Sequence, residues 1–320
     1  MTMSKSIKIS ILVPIYGVEK YIEQCVHSLF RLNYQNIEYV FVNDCTKDNS
    51  IQLLENIIKL YPQREKQVHI INHETNRGLA ASRLTGLQKS TGDYVWFVDS
   101  DDYVKEDAID RCFKYIDEEY DLIQFSYTVK EAQGETDKIL KKVFSIDNVL
   151  AGLTPPMIWK CFIKRSLFFE NDIYPIEGIN HSEDYVLLAR LRLVASKVIS
   201  LNDQQLYVYN LTNVNSYMNN ISLNSVVNTV QGCIHVYDFY KSKNKVKNHK
   251  KAMLSIFLRR WIELTEKDYT NKYCVILSNR IKEIFSILGF ILESLKKIHL
   301  NGIAIIIAKI SKKICDYFVQ

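Results

Sequence analysis

Residues 7–29 read IKISILVPIYGVEKYIEQCVHSL, and the reading of their first half decides the fold. Lys5 and Lys8 ahead of ISILVPIYGV imitate a short signal peptide. Pro14 interrupts that apolar run, however, and no small-residue cleavage pattern follows it. Val18, Ile22, Cys25, Val26 and Leu29 then recur at helical spacing. The stretch is therefore a buried strand that runs into an amphipathic helix.

The same alternation repeats down the chain. IEYVFV (37–42) leads to a helix opened by Asp48, with Ile51, Leu54, Ile57 and Ile58 on one face. VHIIN (68–72) precedes a helix over 79–90, YVWFV (94–98) one opened near Lys105, and DLIQFSY (121–127) makes a fifth strand. Strands apolar on both faces, alternating with helices, predict an α/β fold with a mostly parallel sheet covered by helices. Ligands bind such sheets beyond the carboxyl ends of the strands. Pro14 to Tyr16, Asn43 to Cys45, His73 to Gly78 and Asp99 to Asp102 should thus share one edge. Past residue 130 the alternation fades into an irregular or hairpin region over 130–155. A helix is expected over 183–193, with short strands at VISL and QLYVYN and helices from about 218 onward.

Composition excludes several classes. The chain has 320 residues, 47% apolar and 24% charged, with five prolines and ten glycines, a globular profile without low-complexity linkers. A net charge of +5 is too small to call for nucleic acid. Seven cysteines stand singly, which suits reduced thiols in a cytosol and gives no zinc pattern. His69 and His73 would suit a metal on a helix, but on a strand they are about 13 Å apart. No apolar run approaches the length of a spanning helix.

The chemistry concentrates in FVDSDDY (97–103), three aspartates in four positions at a strand exit. They fit a helix N-terminus equally well as a divalent-ion site. An EF-hand is excluded, because YVKEDAI supplies neither the glycine nor the closing glutamate. Magnesium or manganese needs only one or two carboxylates when a substrate diphosphate completes the shell, a demand that Asp99 and Asp101 meet. Asp102 is expected to open the next helix. Asp48 is read as a helix cap, whereas Asp44 has no helix to cap and suits a base imide or ribose hydroxyl. Neither a G-x-G-x-x-G nor a Walker phosphate loop is present.

Together VPIYGVEKYIEQCVHSL, VNDCTKDNS, NRGLAASRLTG, GDYVWFVDSDDYV, WKCFIKRSLF, EGINHSEDYVLLARL and LYVYN…NSYM resemble, in order and spacing, family 2 glycosyltransferases of the bacterial surface-polysaccharide kind. The resemblance spans roughly residues 7–218. It implies a GT-A fold, a Rossmann-like sheet flanked by helices with a C-terminal helical extension. It also implies inverting transfer of a sugar from a nucleotide-diphosphate donor, usually a UDP-sugar, to a glycan or lipid-linked saccharide hydroxyl. In this pattern Pro14 and Tyr16 pack on the base and Asp44 accepts its N–H. Asp101 is the metal ligand, Asp99 lies near the ribose or metal waters, and Ser100 sits between them in the donor-binding turn. Arg77 and Arg83 either reach the donor phosphates or form a solvated helix face. Asp184 is the expected base, with Glu183 beside it binding acceptor or orienting the loop. The implied cofactor is Mn2+ or Mg2+. Gly17 stands where many members have Asn, Cys45 where they have Gly, Asn43 where they often have Asp, and Lys160-Cys161 where they have Asn-Lys. These last two put acceptor-side contacts in doubt and leave open a non-catalytic sugar-nucleotide binder. Trp159 fits either core or site.

The expected organisation is a glycosyltransferase domain over 1–217, with a donor half to about 125 and an acceptor half over 126–217, then a helical segment over 218–320. Within 281–318, isoleucines and leucines are interspersed with Lys282, Lys296, Lys297, Lys309, Lys312 and Lys313. That segment suits a packed helical pair, a homodimer face or an interfacial helix on anionic lipid. The expected location is cytoplasmic, at the inner face of the cytoplasmic membrane when lipid is engaged.

Overall fold

The structure, a computed structural model, describes residues 7–139, 144–213, 222–268, 270–297 and 301–319. Its elements in chain order are β1 (Ile9–Ile15), α1 (Ile22–Phe30), β2 (Ile37–Asn43), α2 (Ser50–Leu60), β3 (Val68–Asn72), α3 (Leu79–Lys89), β4 (Tyr94–Phe97) and β5 (Tyr103–Val104). There follow α4 (Ala108–Asp117), β6 (Leu122–Glu131), β7 (Gly134–Lys138), α5 (Ile146–Leu150), β8 (Cys161–Lys164), α6 (Ser166–Glu170), α7 (Glu183–Val194) and β9 (Val198–Asn210). The helices α8 (Leu223–Ser242), α9 (Lys250–Lys267), α10 (Lys272–Ile284), α11 (Ser286–Lys297) and α12 (Asn301–Val319) complete the chain.

Two compact units result. The first gathers the described residues within Met1–Lys141, Ile158–Gly178 and Val194–Asn219. The second gathers those within Lys142–Met157, Ile179–Leu193 and Asn220–Gln320. The expected boundary at 217/218, and the NSYM piece of the resemblance, lie outside the described residues.

The first unit is one sheet in the order β3-β2-β1-β4-β8-β6-β9-β5, with β7 on β6. From β3 to β4 the strands are parallel, Ile9 pairing with Ile37 on one side and Tyr94 on the other. The antiparallel β8 then intervenes between β4 and β6, so the fifth expected strand is not a direct neighbour of the fourth. VISL and QLYVYN prove to be one strand, β9, whose pairing with β6 shifts register around Ser126. Its far end pairs with β5 and so ties the strand to the turn after β4.

Burial explains the order. β1 and β2 are apolar on both faces because helices cover both; α3 packs on both strands, with the Gly86 Cα close to Leu12 and Val42. β3, at the sheet margin, is half exposed. Trp96 is buried among Phe162, Phe125 and Tyr207, with its indole N–H donated to the Trp159 carbonyl at 2.7 Å. Trp159 itself stacks on Tyr207, ring centroids 4.3 Å apart, which places it in the core.

The second unit is helical. α9 runs through its middle, contacting α5, α8, α10 and α12. α7 is buried nearly all round, as its run Tyr185 to Leu188 requires. α8 approaches it so closely that a Cβ on Gly232 would stand 2.6 Å from Val186 Cγ2. Among the described residues no helix is long and apolar enough to cross a membrane.

Candidate active site

The carboxyl edge of the parallel strands is tied together by its own backbone and amides. Asp44 N–H donates to the Ile15 carbonyl at 3.0 Å, and His73 N–H to that of Asn43 at 2.9 Å. The Asn43 amide donates to Asn72 and accepts from the Thr46 N–H. Asn43 thus uses both ends of its amide, joining the ends of β2 and β3 and holding the start of the next loop.

Asp44 is buried and accepts three hydrogen bonds, two on Oδ1 and one on Oδ2, which leaves Oδ2 a further acceptor site. Its Oδ1 accepts from His73 Nδ1 at 2.7 Å and from the Arg77 N–H at 2.8 Å, and its Oδ2 accepts from the Gly78 N–H at 2.7 Å. The His73 Nε2 lies 2.9 Å from the Thr85 hydroxyl. Through its two ring nitrogens His73 therefore bridges Asp44 and α3. Asp44 therefore shapes the loop 73–78 as well as presenting an acceptor at the strand tip. Beside it Tyr16 is 54% exposed at the end of β1, an aromatic face open to solvent.

Two departures from the family pattern have a backbone cause. Gly17 and Cys45 both have positive φ, +67° and 59°. Glycine and asparagine are the residues that take that conformation most readily, so Gly17 for Asn is neutral in kind. Cys45 for Gly is not, since a Cβ there is strained.

The turn after β4 carries the acidic cluster. Asp99 Oδ1 accepts from Arg83 Nη2 at 2.8 Å, and Arg83 is buried. The solvated-face alternative for Arg83 is thereby corrected: its cation is spent inside the turn, compensating one of the crowded carboxylates. Ser100 is also buried. Asp101 is partly buried; its Oδ2 accepts from the Asn213 amide at 2.8 Å, and its carbonyl from that of Asn210 at 3.0 Å. Burial and then the charge of Asp99 push the Asp101 carboxyl above its ordinary value.

Asp102 is not a helix cap. The next helix, α4, begins at Ala108 with Asp107 at its cap, and Asp102 is buried. Its Oδ2 accepts the Tyr207 hydroxyl at 2.7 Å and its Oδ1 the Asn210 N–H at 2.7 Å. Tyr207 in turn accepts from the Asp99 N–H at 3.0 Å. Burial, then Asp101 and Asp99, push the Asp102 carboxyl well up. Asp102 is the anchor that fastens β9 to the turn. Asp48 is not the cap of α2 either: that position is Asn49, and Asp48 stands one residue earlier, its Oδ1 accepting from the Ser50 N–H at 3.2 Å and its Oδ2 from the Glu19 N–H at 2.9 Å.

Arg77 lies at the same edge, but its guanidinium forks onto Glu177, at 3.0 and 2.9 Å. That bond lowers the Glu177 carboxyl below its ordinary value. Lys160 and Cys161 are wholly buried. Glu183 and Asp184 stand at the N-terminus of α7, in the second unit, Glu183 buried and Asp184 partly exposed. Next to them Ser182 has a φ of 62° and its hydroxyl lies 3.1 Å from that of Thr229.

Sequence reasoning placed His73 at this edge without its tie to Asp44, and missed Thr85, Glu177, Tyr207, Asn210 and Asn213. Tyr207 and Asn210 lie in LYVYN, a segment already singled out, but their partner is over a hundred positions away. A divalent ion is tested by the donor set. Asp99 and Asp101 offer hard carboxylate oxygens, and the raised Asp101 carboxyl is one that a cation would relieve. Among the described residues no three His, Cys, Asp or Glu side chains form a closed metal cage. Mg2+ or Mn2+ therefore fits as an ion shared between a short carboxylate set and a substrate's phosphates.

Known proteins resemble the chain in sequence and in fold. A family-wide profile for glycosyl transferase family 2 matches residues 10–171. Glycosyltransferase GlyA of Streptococcus pneumoniae is 32% identical over 220 residues, covering 64% of this chain and 30% of its own length. The uncharacterized glycosyltransferase EpsJ of Bacillus subtilis is 30% identical over 213 residues, covering 63% and 60% respectively. The chain thus spans from about a third to three fifths of these relatives. The solved structure of Staphylococcus aureus TarS 1–349 in complex with UDP-GlcNAc matches with a TM-score of 0.69 at 19% identity, covering 97% of this chain and 91% of that one. Mannosyltransferase PcManGT from Pyrobaculum calidifontis, in complex with GDP-Man and Mn2+, matches with a TM-score of 0.58 at 14% identity. At these identities the structural matches speak for the fold: a mixed sheet flanked by helices with a helical C-terminal region.

Proposed function

The chain belongs to glycosyl transferase family 2, and on that footing we propose that it transfers a sugar, with inversion, from a nucleotide-diphosphate sugar to a hydroxyl of a glycan or lipid-linked acceptor in surface polysaccharide synthesis. UDP-sugars are the donors favoured, since TarS, whose structure holds UDP-GlcNAc, shares this fold. The work is placed in the cytoplasm. The observation that carries the reading is the acidic turn Asp99 to Asp102, fixed by β9 at the same sheet edge as Tyr16 and Asp44.

Each residue has a share in the chemistry. Tyr16 and Pro14 bound the base, and Asp44, oriented by His73 and the loop N–H groups, accepts the base N–H. Ser100 and Asp99 line the donor, with Arg77 within reach of its phosphates once it leaves Glu177. Asp101 and Asp99 would hold Mn2+ or Mg2+, which when bound neutralises the charge of the leaving diphosphate. Asp184 takes the proton of the acceptor hydroxyl as its oxygen attacks the anomeric carbon and the bond to the diphosphate breaks. Glu183 orients the acceptor loop. The support for these last two is their place in the family pattern and at a helix N-terminus. The non-catalytic alternative rested on Lys160 and Cys161; both are wholly buried, which weighs against it.

The test is thermal unfolding with UDP-, GDP- and dTDP-sugars, with and without manganese, followed by a transfer assay. One donor class should raise Tm in the presence of the ion, as ligands of the native state do. Asp101→Ala should lose that rise, and Asp184→Asn should keep it while losing turnover. Stabilisation by no donor would sink the reading; near wild-type transfer by Asp184→Asn would sink the base assignment alone.

A further inference from the structure

The exposed face of α12 and the start of α11 have no part in this chemistry, yet they carry several exposed apolar side chains. On α12, Ile303, Ile306, Ile310 and Ile314 are all exposed, Ile306 by 58% and Ile310 by 56%. Spacings of three, four and four residues put them on one stripe. Ala304, Ala308 and Cys315, on the other side of the helix, are the buried residues. Ile287 and Ile291 on α11, with Phe285 just before it, are exposed as well. Single exposed isoleucines are ordinary on a folded surface, but four along one stripe of a single helix mark a contact.

Charge indicates what the contact is. Between residues 282 and 316 the chain has six lysines and three acids, Glu283, Glu293 and Asp316. At 100° per residue, Lys309 and Lys313 both lie along one edge of the isoleucine stripe. Lys309 reaches Glu266 at 2.6 Å, an exposed pair of the weak kind that yields to a better anion. We propose that this face lies on an anionic lipid bilayer, the isoleucines entering the boundary between headgroups and acyl chains and the lysines facing phosphate. A second copy of the chain fits less well, because a two-fold contact would set the same basic surface against itself. As no described helix can span a bilayer, the contact is interfacial. The inference stands whether or not the chain transfers a sugar.

Co-sedimentation of the full chain with vesicles tests it. Binding to vesicles containing phosphatidylglycerol should exceed that to phosphatidylcholine alone by about tenfold or more, and fall as salt rises. The double variant Ile306→Asp/Ile310→Asp should lose about tenfold or more of that binding. Its Tm should match the wild type, since both side chains are exposed; this separates lost contact from lost fold. Absence of binding, or equal binding to neutral vesicles, overturns the proposal. So does a lipid-free dimer of the wild type that the double variant dissolves, which would assign the face to a second copy.

Discussion

At the scale of single residues, the acidic turn holds more charge than its hydrogen bonds relieve. Asp99 is paired with Arg83, and Asp102 has Tyr207 and Asn210, but Asp101 has the Asn213 amide as its side-chain donor while burial and Asp99 raise its carboxyl. A raised carboxyl is a destabilised anion, so removing its charge should help the protein when no ion is bound. Asp101→Asn is expected to raise stability at pH 7 by about 1 kcal/mol in metal-free buffer, read by urea unfolding. The same variant should lose the Tm rise that manganese and donor give the wild type. A variant less stable than wild type without metal would show that the crowding is already relieved. Asp99 and Asp101 were singled out by the resemblance to the family pattern, since the residues alone fitted a helix start equally well. The role of Asp102 was not: a cap and a buried anchor look alike in sequence, and only Tyr207 and Asn210 tell them apart. Arg83 was hidden for the same reason, since a helix period cannot say which cation turns inward.

At the scale of elements, the opposite end of the sheet is held by a second charge cluster that uses no catalytic residue. Glu38 on β2 accepts from Lys8 Nζ at 2.5 Å, the Ser10 hydroxyl at 2.5 Å and both the N–H and hydroxyl of Thr91. It thereby staples β2 to β1 and to the turn entering β4. Gly92 is forced here, because a Cβ would stand 2.6 Å from Ser10 Oγ and 2.8 Å from the Lys8 carbonyl. Burial alone would raise the Glu38 carboxyl, but these donors outweigh it and bring it from 4.5 to about 2. Because the folded value lies below the unfolded one, the stability it gives is complete above about pH 4.5 and lost as pH falls toward 2. The amount is on the order of 3 kcal/mol. Glu38→Gln should lower stability at pH 7 and flatten its decline between those values. Acidification relieves Asp101 and Asp102 in the opposite sense, so the difference between the two proteins isolates Glu38. An unchanged acid limb in Glu38→Gln would place the titrating group elsewhere. The strands β1, β2 and β4 were readable because each is a nearly continuous apolar run, and β3 because its Val68, Ile70 and Ile71 lie between turn signals. The insertion of β8 between β4 and β6 was not, since CFIK has the same pattern wherever it pairs.

At the scale of the whole molecule, the division of the chain decides what can fold alone. The sequence suggests a domain ending at 217, because the strand pattern stops there and helices follow. Contacts in the second unit run the other way in sequence, joining α5 and α7 to helices beyond 220. Tyr185 O–H donates to the Leu150 carbonyl at 2.9 Å, Tyr240 O–H to that of Ala189 at 2.8 Å, and Gly232 lets α8 rest on Val186. No periodicity reveals this, since an all-round apolar helix declares that it is buried but not against what. A fragment of residues 1–217 keeps α7 and removes α8 and α9. Val186, Leu187, Leu188 and Leu191 are buried in the full chain, and a buried aliphatic side chain is worth about 1.5–3 kcal/mol. Uncovering even some of that row costs an amount comparable with the about 5–15 kcal/mol that holds a domain together. The fragment should therefore aggregate or bind a hydrophobic dye without a cooperative melt, while the full chain melts cooperatively. A soluble fragment that melts cooperatively and still answers to donor and manganese would instead make 217 a true boundary.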